Sequence, residues 1–118
     1  AITDVGEGWS ECAANALPDY SNEYHTGAMD VLKKFFLPQI FALGDELTAE
    51  KVAPTLHWAK QHRMAKAALE TAILDAQLRA ENKSLATYLG AVKDRVPAGV
   101  SVGIMDSLDE LHSFVRIW

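Results

Sequence analysis

The chain has 118 residues, a hydrophobic share of 49%, a charged share of 23% and a formal net charge of −5, as in an ordinary soluble globular protein of one domain. This acidic balance, with no basic cluster beyond Lys33 and Lys34, argues against a nucleic-acid partner. Because Cys12 is the only cysteine, an internal disulfide and a thiolate metal cluster are excluded, and we expect a reducing, cytoplasmic environment. No apolar run approaches the roughly 20 residues that span a bilayer, so no membrane partner is expected.

The first residues, AITDVGEGWSECAA, predict two short strands joined by a turn at 4–6. In the second strand Glu7, Trp9 and Glu11 share one face, since side chains alternate along a strand. The strand before the turn contains only residues 1–3, and so lopsided a hairpin is unstable by itself. We therefore expect the chain to begin partway through an element.

A loop from Asn15 to Tyr20 precedes the first predicted helix. Ser21 is a suitable N-cap, and Glu23 would lie in the first turn, facing the positive end of the helix dipole. Apolar residues then recur at spacings of three and four: Ala28, Val31, Leu32, Phe35 and Phe36. Pro38 is expected to interrupt this helix, because proline has no N–H to donate.

Two shorter helical segments are predicted next. One is a turn over 39–43 that ends at Gly44. The other is a helix that runs from the N-cap Thr48 to Trp58, in which Pro54 can introduce a kink or delay the start.

The central helix is predicted over 62–80, where HRMAKAALETAILDAQLRA contains no Gly or Pro and many good helix formers. Its broad apolar face consists of Met64, Ala65, Ala68, Leu69, Ala72, Ile73 and Ala76. A helix this apolar is covered on most sides, and Glu81 with Asn82 is expected to close it. Asp75 lies within the apolar arc. It is either a buried acid with a raised pKa or, as we favour, a carboxylate bonded to backbone donors or an arginine.

The character of the sequence changes after a short predicted helix over 84–89 that ends at Gly90. VPAGVSVGI, over 96–104, is β-branched and predicts a buried strand. Ser107 and Glu110 form a capping box that opens another helix. Its apolar stripe consists of Leu108, Leu111, Val115 and Trp118. A buried strand followed by a helix is the first half of a βα unit, so both ends of the chain look cut.

Several stretches together resemble the enolase superfamily: GWSEC, the Pro18-x-Tyr20-x-x-Glu23 loop, HRMAKAALETAILDAQLRAE and YLGAVKDRVPAGVSVGI. The nearest branch is that of o-succinylbenzoate synthases and N-acylamino acid racemases. The resemblance implies an α+β fold, with an N-terminal capping domain over 1–95 that is truncated at its start. It also implies that 96–118 is the truncated beginning of a (β/α)8 barrel, with its first strand in VSVGI and most of its first helix from Ser107 to Trp118.

The resemblance also implies which chemistry lies elsewhere. In this family a Lys-x-Lys pair on the second barrel strand and a later lysine handle the proton α to a carboxylate, and three carboxylates hold Mg2+. All of these positions would lie beyond Trp118, and the pair Lys33–Lys34 lacks the spacing. We therefore expect no catalytic residue and no metal ligand in this chain. The parent would be a Mg2+-dependent lyase of menaquinone biosynthesis or an isomerase.

Three residues of this chain are expected to contact the substrate, a small carboxylate. Tyr20 matches an aromatic residue that lines the pocket, and Asn15 falls where such members usually carry Met. Ser101 shares a strand face with Gly103, where its hydroxyl could bond the remote carboxylate of the substrate. The simpler interpretations are a loop aromatic for Tyr20, a turn former for Asn15 and a small filling residue for Ser101.

Two alternatives stay open at this stage. One is another enolase-superfamily activity, dipeptide epimerase or muconate cycloisomerase. The other is a helical binding module without catalysis, whose C-terminal apolar stripe would be an interaction surface. On the first interpretation the other partners are the missing barrel domain of the parent and further copies of the full-length chain in a homo-oligomer.

Overall fold

The computed structural model describes residues 1–4 and 6–117, and it contains a small hairpin and six α-helices in this part of the chain. The hairpin pairs β1 (Ile2–Thr3) with β2 (Gly6–Glu7) in antiparallel register. The helices are α1 (His25–Val31), α2 (Leu37–Phe41), α3 (Ala49–Thr55), α4 (Arg63–Ala80), α5 (Leu85–Tyr88) and α6 (Leu108–Val115). The predicted α+β fold class is confirmed. The second strand ends at Glu7 and does not continue to Cys12 as predicted, since its partner has only two residues.

The stretch from α1 to α2 is one continuous helix, although we expected Pro38 to interrupt it. A π-helical turn, Leu32–Phe36, lies just before the proline. There the Leu37 N–H is donated to the Leu32 carbonyl, so the hydrogen bond spans five residues. The wider turn accommodates a ring that has no N–H and would crowd an ordinary α-helical turn. Phe36 is thereby directed into the core, where it is fully buried.

The start of α1 also differs from the prediction. Its N-cap is Tyr24, which makes no side-chain capping bond, and Ser21 does not cap the helix. The Ser21 hydroxyl is bonded to the carbonyl of Glu23 at 2.9 Å. The first amide of the helix, that of His25, is donated to the carbonyl of Asn15 at 2.7 Å, so a distant loop residue satisfies it.

The third helix begins at the predicted N-cap, Thr48, but ends at Thr55 and not at Trp58. Pro54 lies in its last turn, and beyond it the chain continues in tight turns, such as the bond from the Ala59 N–H to the Leu56 carbonyl at 3.2 Å. The Thr48 side chain makes no capping bond.

The central helix α4 is packed closely on two sides. Its buried residues are Ala65, Ala72, Ile73, Ala76 and Leu78. The backbone after β2 lies directly on it: a Cβ at Gly8 would stand 2.0 Å from the Ala72 carbonyl oxygen and 2.5 Å from the Ala76 nitrogen. Glycine on one side and alanine on the other allow the strand and the helix to approach this closely.

The predicted end of α4 is confirmed. Asn82 adopts the left-handed conformation, with φ of 51°. The Asn82 N–H is donated to Arg79 and the Lys83 N–H to the Leu78 carbonyl, at 3.1 and 2.8 Å. This pair of bonds is the Schellman arrangement.

The C-terminal part differs most from the prediction. Residues 96–104 form no strand and are all exposed, because no strand among the described residues pairs with them. The helix that follows, α6, does form, and the Ser107 hydroxyl accepts the Glu110 N–H at 3.2 Å as the capping box predicts. It ends at Val115, and Trp118 of the predicted stripe lies outside the described residues. No residue from 81 to 117 is buried.

Candidate functional site

The loop from Asn15 to Tyr24 carries two of the three predicted substrate-contacting residues. A parallel backbone bridge between Asn15 and Tyr24 closes the loop at its base. Within it the Asn15 side-chain amide reaches the Asp19 carboxylate at 3.4 Å, the local bond expected of a turn former. Tyr20 is 86% exposed, so its ring is not part of the hydrophobic core. The loop therefore exposes the phenol side chain of Tyr20 to solvent.

Glu23 fastens this loop to the central helix. Its carboxylate is buried and accepts the N–H groups of Met64 at 3.0 Å and Ala65 at 3.1 Å, in the first turn of α4. His62, the N-cap residue, lies in the left-handed region with φ of 51° and makes no side-chain capping bond. Glu23 thus performs the capping that a local residue would normally provide. Its negative charge also lies at the positive end of the α4 dipole.

The sequence missed this role of Glu23. We expected the carboxylate at the start of the first helix, and it lies instead at the start of α4, 41 residues along the chain from Met64. The Glu23 carboxylate does bind at a helix N-terminus, as expected, but local sequence contains no signal that specifies which helix. The only signal was the place of Glu23 in the motif Pro18-x-Tyr20-x-x-Glu23.

Asp75 joins the hairpin end to α4. One carboxylate oxygen accepts the Trp9 backbone N–H at 2.8 Å and the Arg79 Nε–H at 2.8 Å. The hydrogen bond from Trp9 and, after it, the one from Arg79 hold the pKa of Asp75 below its ordinary value. This carboxylate is therefore ionised at neutral pH and structural. The favoured interpretation of Asp75 is confirmed, and a buried general acid with a raised pKa is wrong.

Ser101, the third predicted residue, lies in the exposed stretch between α5 and α6. It forms no hydrogen bond to any residue that the structure describes, and the structure does not bring it together with Asn15 or Tyr20. Its substrate contact stays a prediction, as do those of the two loop residues.

An apolar groove of about 720 Å³ lies between the hairpin and the helices α2 and α4. Its lining includes Ile2, Leu37, Ile40, Phe41, Leu69 and Ile73. Asp4, Asp45 and Gln77 add polar atoms to it. No histidine, lysine or cysteine lines this groove, and neither do Asn15, Tyr20 and Ser101. The groove therefore offers mainly apolar surface.

The described residues do not build a metal site. Over 1–4 and 6–117, no three His, Cys, Asp or Glu side chains are grouped so that they could hold an ion. The Mg2+ implied by the family resemblance therefore has no ligand set among these residues. None of the helices in the described part of the chain is both long and apolar enough to cross a bilayer.

Comparisons with known proteins agree with one another. The chain is 53% identical over 115 residues to an N-succinylamino acid racemase from an Amycolatopsis species, covering 98% of the chain and 31% of that protein. It is 39% identical over 113 residues to an o-succinylbenzoate synthase from Bacillus subtilis, covering 92% and 30%. No protein-family model matches the chain. The chain thus spans about a third of the length of the curated relatives it matches.

The fold comparison leads to the same group. A crystal structure of an enolase-superfamily member from Listeria innocua superposes with a TM-score of 0.84 and 33% identity, covering 98% of this chain and 31% of that one. A second superfamily member, from Enterococcus faecalis, gives a TM-score of 0.81 with 29% identity. The chain belongs to the enolase superfamily, and its similarity to o-succinylbenzoate synthases and N-succinylamino acid racemases extends over nearly its whole length.

Proposed function

We propose that this chain is the substrate-covering part of an o-succinylbenzoate synthase or N-acylamino acid racemase. In this proposal residues 1–95 are the capping domain and 96–118 begin the (β/α)8 barrel. The observation that carries it is the loop over 15–24, which is closed at its base, fastened to α4 by Glu23 and exposes Tyr20. A loop that covers a substrate pocket must be fixed at both ends, and the side chains at its tip must be available for contact with the substrate.

The chain's own residues would bind and enclose the substrate. Tyr20 would cover the apolar part of the substrate, and Asn15 would add a polar group at the lip of the pocket. Ser101 would donate its hydroxyl to the remote carboxylate once 96–104 is paired as a strand. Excluding water in this way strengthens the electrostatic interactions inside an active site.

Proton transfer would be performed by residues outside this chain. The proposed reaction removes the proton α to a carboxylate, followed by loss of water in the synthase or return of the proton to the other face in the racemase. Mg2+, when bound to the rest of the parent, would stabilise the negative charge that develops on that carboxylate. The 118-residue chain by itself is proposed to be inactive. The proposed parent is cytoplasmic, in agreement with the single cysteine of this chain. It is further proposed to be a homo-oligomer.

The test is an activity assay of the full-length parent with Mg2+. Two substrates are compared. With the precursor of o-succinylbenzoate the assay monitors the loss of water, and with an N-succinylamino acid it monitors the change of optical rotation. Turnover of either one, abolished by EDTA and restored by Mg2+, is expected. Turnover of a dipeptide or a muconate in place of both would assign another activity of the superfamily.

A helical binding module without catalysis is the second candidate, and the exposure of Leu108, Val115 and Ile117 favours it. A full-length parent that is inactive on every substrate above, together with a 118-residue chain that is monomeric and melts cooperatively, would support this candidate.

A further inference from the structure

We infer that Glu23 is a positioning residue that acts through Tyr20: its carboxylate holds the loop over 15–24 in the conformation that covers the substrate. This inference rests on the proposed function, because it assigns Glu23 a part in the same site. Glu23 itself touches no substrate in this inference.

The first support is the contrast in burial along the loop. All residues from Asn15 to Tyr20 are exposed, whereas Glu23 is 8% exposed and is the buried charged residue among those described. No apolar side chain of the loop reaches the core, so hydrophobic packing does not determine its position. Polar bonds must do so.

The second support is the set of bonds at the loop base. The Glu23 carboxylate binds two amides of α4, and the bridge from Asn15 to Tyr24 joins the two ends of the loop. The Asn22 side-chain amide is bonded to the carbonyl oxygen of the Gln61 side chain. The charge-assisted bonds that the two amides donate to the buried carboxylate are the strongest of this set, because a charged partner strengthens a hydrogen bond and burial removes competing water.

The third support is the backbone that Glu23 meets. Gln61 and His62 both lie in the left-handed region, with φ of 56° and 51°, a conformation uncommon for residues other than glycine. The chain is thus bent sharply before α4, and Glu23 accepts the N–H groups of Met64 and Ala65, which lie two and three residues after His62. The carboxylate therefore stabilises the bend and the loop together.

The link from Glu23 to Tyr20 is short. The Ser21 hydroxyl is bonded to the Glu23 carbonyl at 2.9 Å, and the backbone between the anchor and the aromatic residue is bent there. When the anchor is lost, α4 keeps its packed face and its freed amides can bind water. The loop keeps only its base bridge and the Asn22 bond. Loss of the Glu23 carboxylate should therefore change the position of Tyr20 and leave the packing of α4 intact.

The test is a double-mutant cycle in the full-length parent, with Glu23→Ala, Tyr20→Ala and the combination, assayed on the substrate that the wild type turns over. Each single variant is expected to raise KM about fivefold with kcat changed less than about twofold, since only substrate binding is lost. The double variant should have the KM of Tyr20→Ala alone, because Glu23 then has nothing left to position. Glu23→Gln keeps one acceptor oxygen, so an intermediate KM is expected from it, and it replaces Glu23→Ala if that variant does not fold.

Gln77→Ala is the matched control. The Gln77 side-chain oxygen accepts the Ala49 N–H at 2.9 Å, so this variant also removes a side-chain bond to the first turn of a helix, away from the loop. It is expected to lower the melting temperature without raising KM. An equal rise of KM in Gln77→Ala, or KM effects of Glu23→Ala and Tyr20→Ala that multiply in the double variant, would overturn the inference.

A second readout does not depend on activity. Chymotrypsin cleaves after aromatic residues, and Tyr20 is exposed in the loop and followed by Ser21. Glu23→Ala and Glu23→Gln should increase the rate of cleavage after Tyr20 several-fold, and Gln77→Ala should not. An unchanged cleavage rate in both Glu23 variants contradicts the inference even if the wild type is active. An inactive wild type contradicts the proposed function, while the cleavage rates still decide whether Glu23 holds the loop.

Discussion

The part of the chain before residue 81 and the part from residue 81 onward differ in how much of their apolar surface is buried. The first contains every buried residue among those described, with Phe36, Ile40, Val52 and Leu56 fully enclosed. The second contains none. As a result the chain has a radius of gyration of 18.5 Å, against about 13 to 14 Å for a compact domain of this length.

The contrast between the two parts shows which secondary-structure elements form without packing partners. In the exposed part α6 forms, because a helix satisfies its amides internally and Ser107 caps its first turn. The apolar stretch over 96–104 in the same part forms no strand, because a strand needs a neighbour for its hydrogen bonds. Exposed apolar side chains such as Val100 and Ile104 are what this region would bury against a sheet.

The largest expected effect is in the packed part. Phe36→Ala removes a fully buried ring and should lower the free energy of unfolding by about 3–5 kcal/mol, through lost burial and the cavity left behind. Denaturant unfolding followed by circular dichroism measures it. Phe41→Ala, at a side chain that is 71% exposed, is the control and should cost well under half of that. Equal costs would mean that the core is not where the structure places it.

The next effect comes from the close approach at Gly8. Gly8→Ala forces the backbone just after β2 away from α4, because the new Cβ would lie 2.0 Å from the Ala72 carbonyl oxygen. A cost of about 1–3 kcal/mol in unfolding free energy is expected. Gly99→Ala is the matched change in the exposed part, where nothing lies within 4 Å of the added carbon, and its effect should be close to zero. A tolerated Gly8→Ala would contradict the contact between strand and helix.

A smaller effect depends on pH. Since the folded pKa of Asp75 is lowered, its stabilising contribution is fully present above the unfolded pKa of about 3.9 and is lost as pH falls through the folded pKa. Asp75→Asn should therefore reduce the loss of stability in acid, besides lowering stability at neutral pH. Melting temperatures measured from pH 7 down to acid test this. Asp94→Asn, at an exposed aspartate after α5, should leave the profile as in the wild type.

The smallest effect on global unfolding is expected from Ser107→Ala. It removes the cap of α6 and should destabilise that helix by about 1 kcal/mol locally. Because α6 has no buried residue, the unfolding midpoint of the packed part should not move. Hydrogen exchange of the amides in the first turn of α6 measures the local change. A shifted global midpoint would show that α6 is packed against the rest.

For the candidate site, the sequence indicated Asn15, Tyr20 and Ser101 through the family resemblance, and their contacts with substrate stay predictions. The bond network of the loop could not be foreseen. The partner of Glu23 is 41 residues away and the Trp9 amide that Asp75 accepts is 66 residues away. Two residues at such separations meet only after the helices have packed, and nothing in the local pattern specifies the pairing.

Local sequence was sufficient to predict the elements whose hydrogen bonds close within a few residues. These are α4 with its ending at Asn82, α5 with its ending at Gly90, and α6 with its cap at Ser107. Three features depend on long-range packing: Pro38 lies in a continuous helix, Glu23 caps α4, and 96–104 forms no strand. The physical reason is the range of the interactions, because helical turns and caps are local, whereas sheet pairing and cross-chain capping require partners that only the fold supplies.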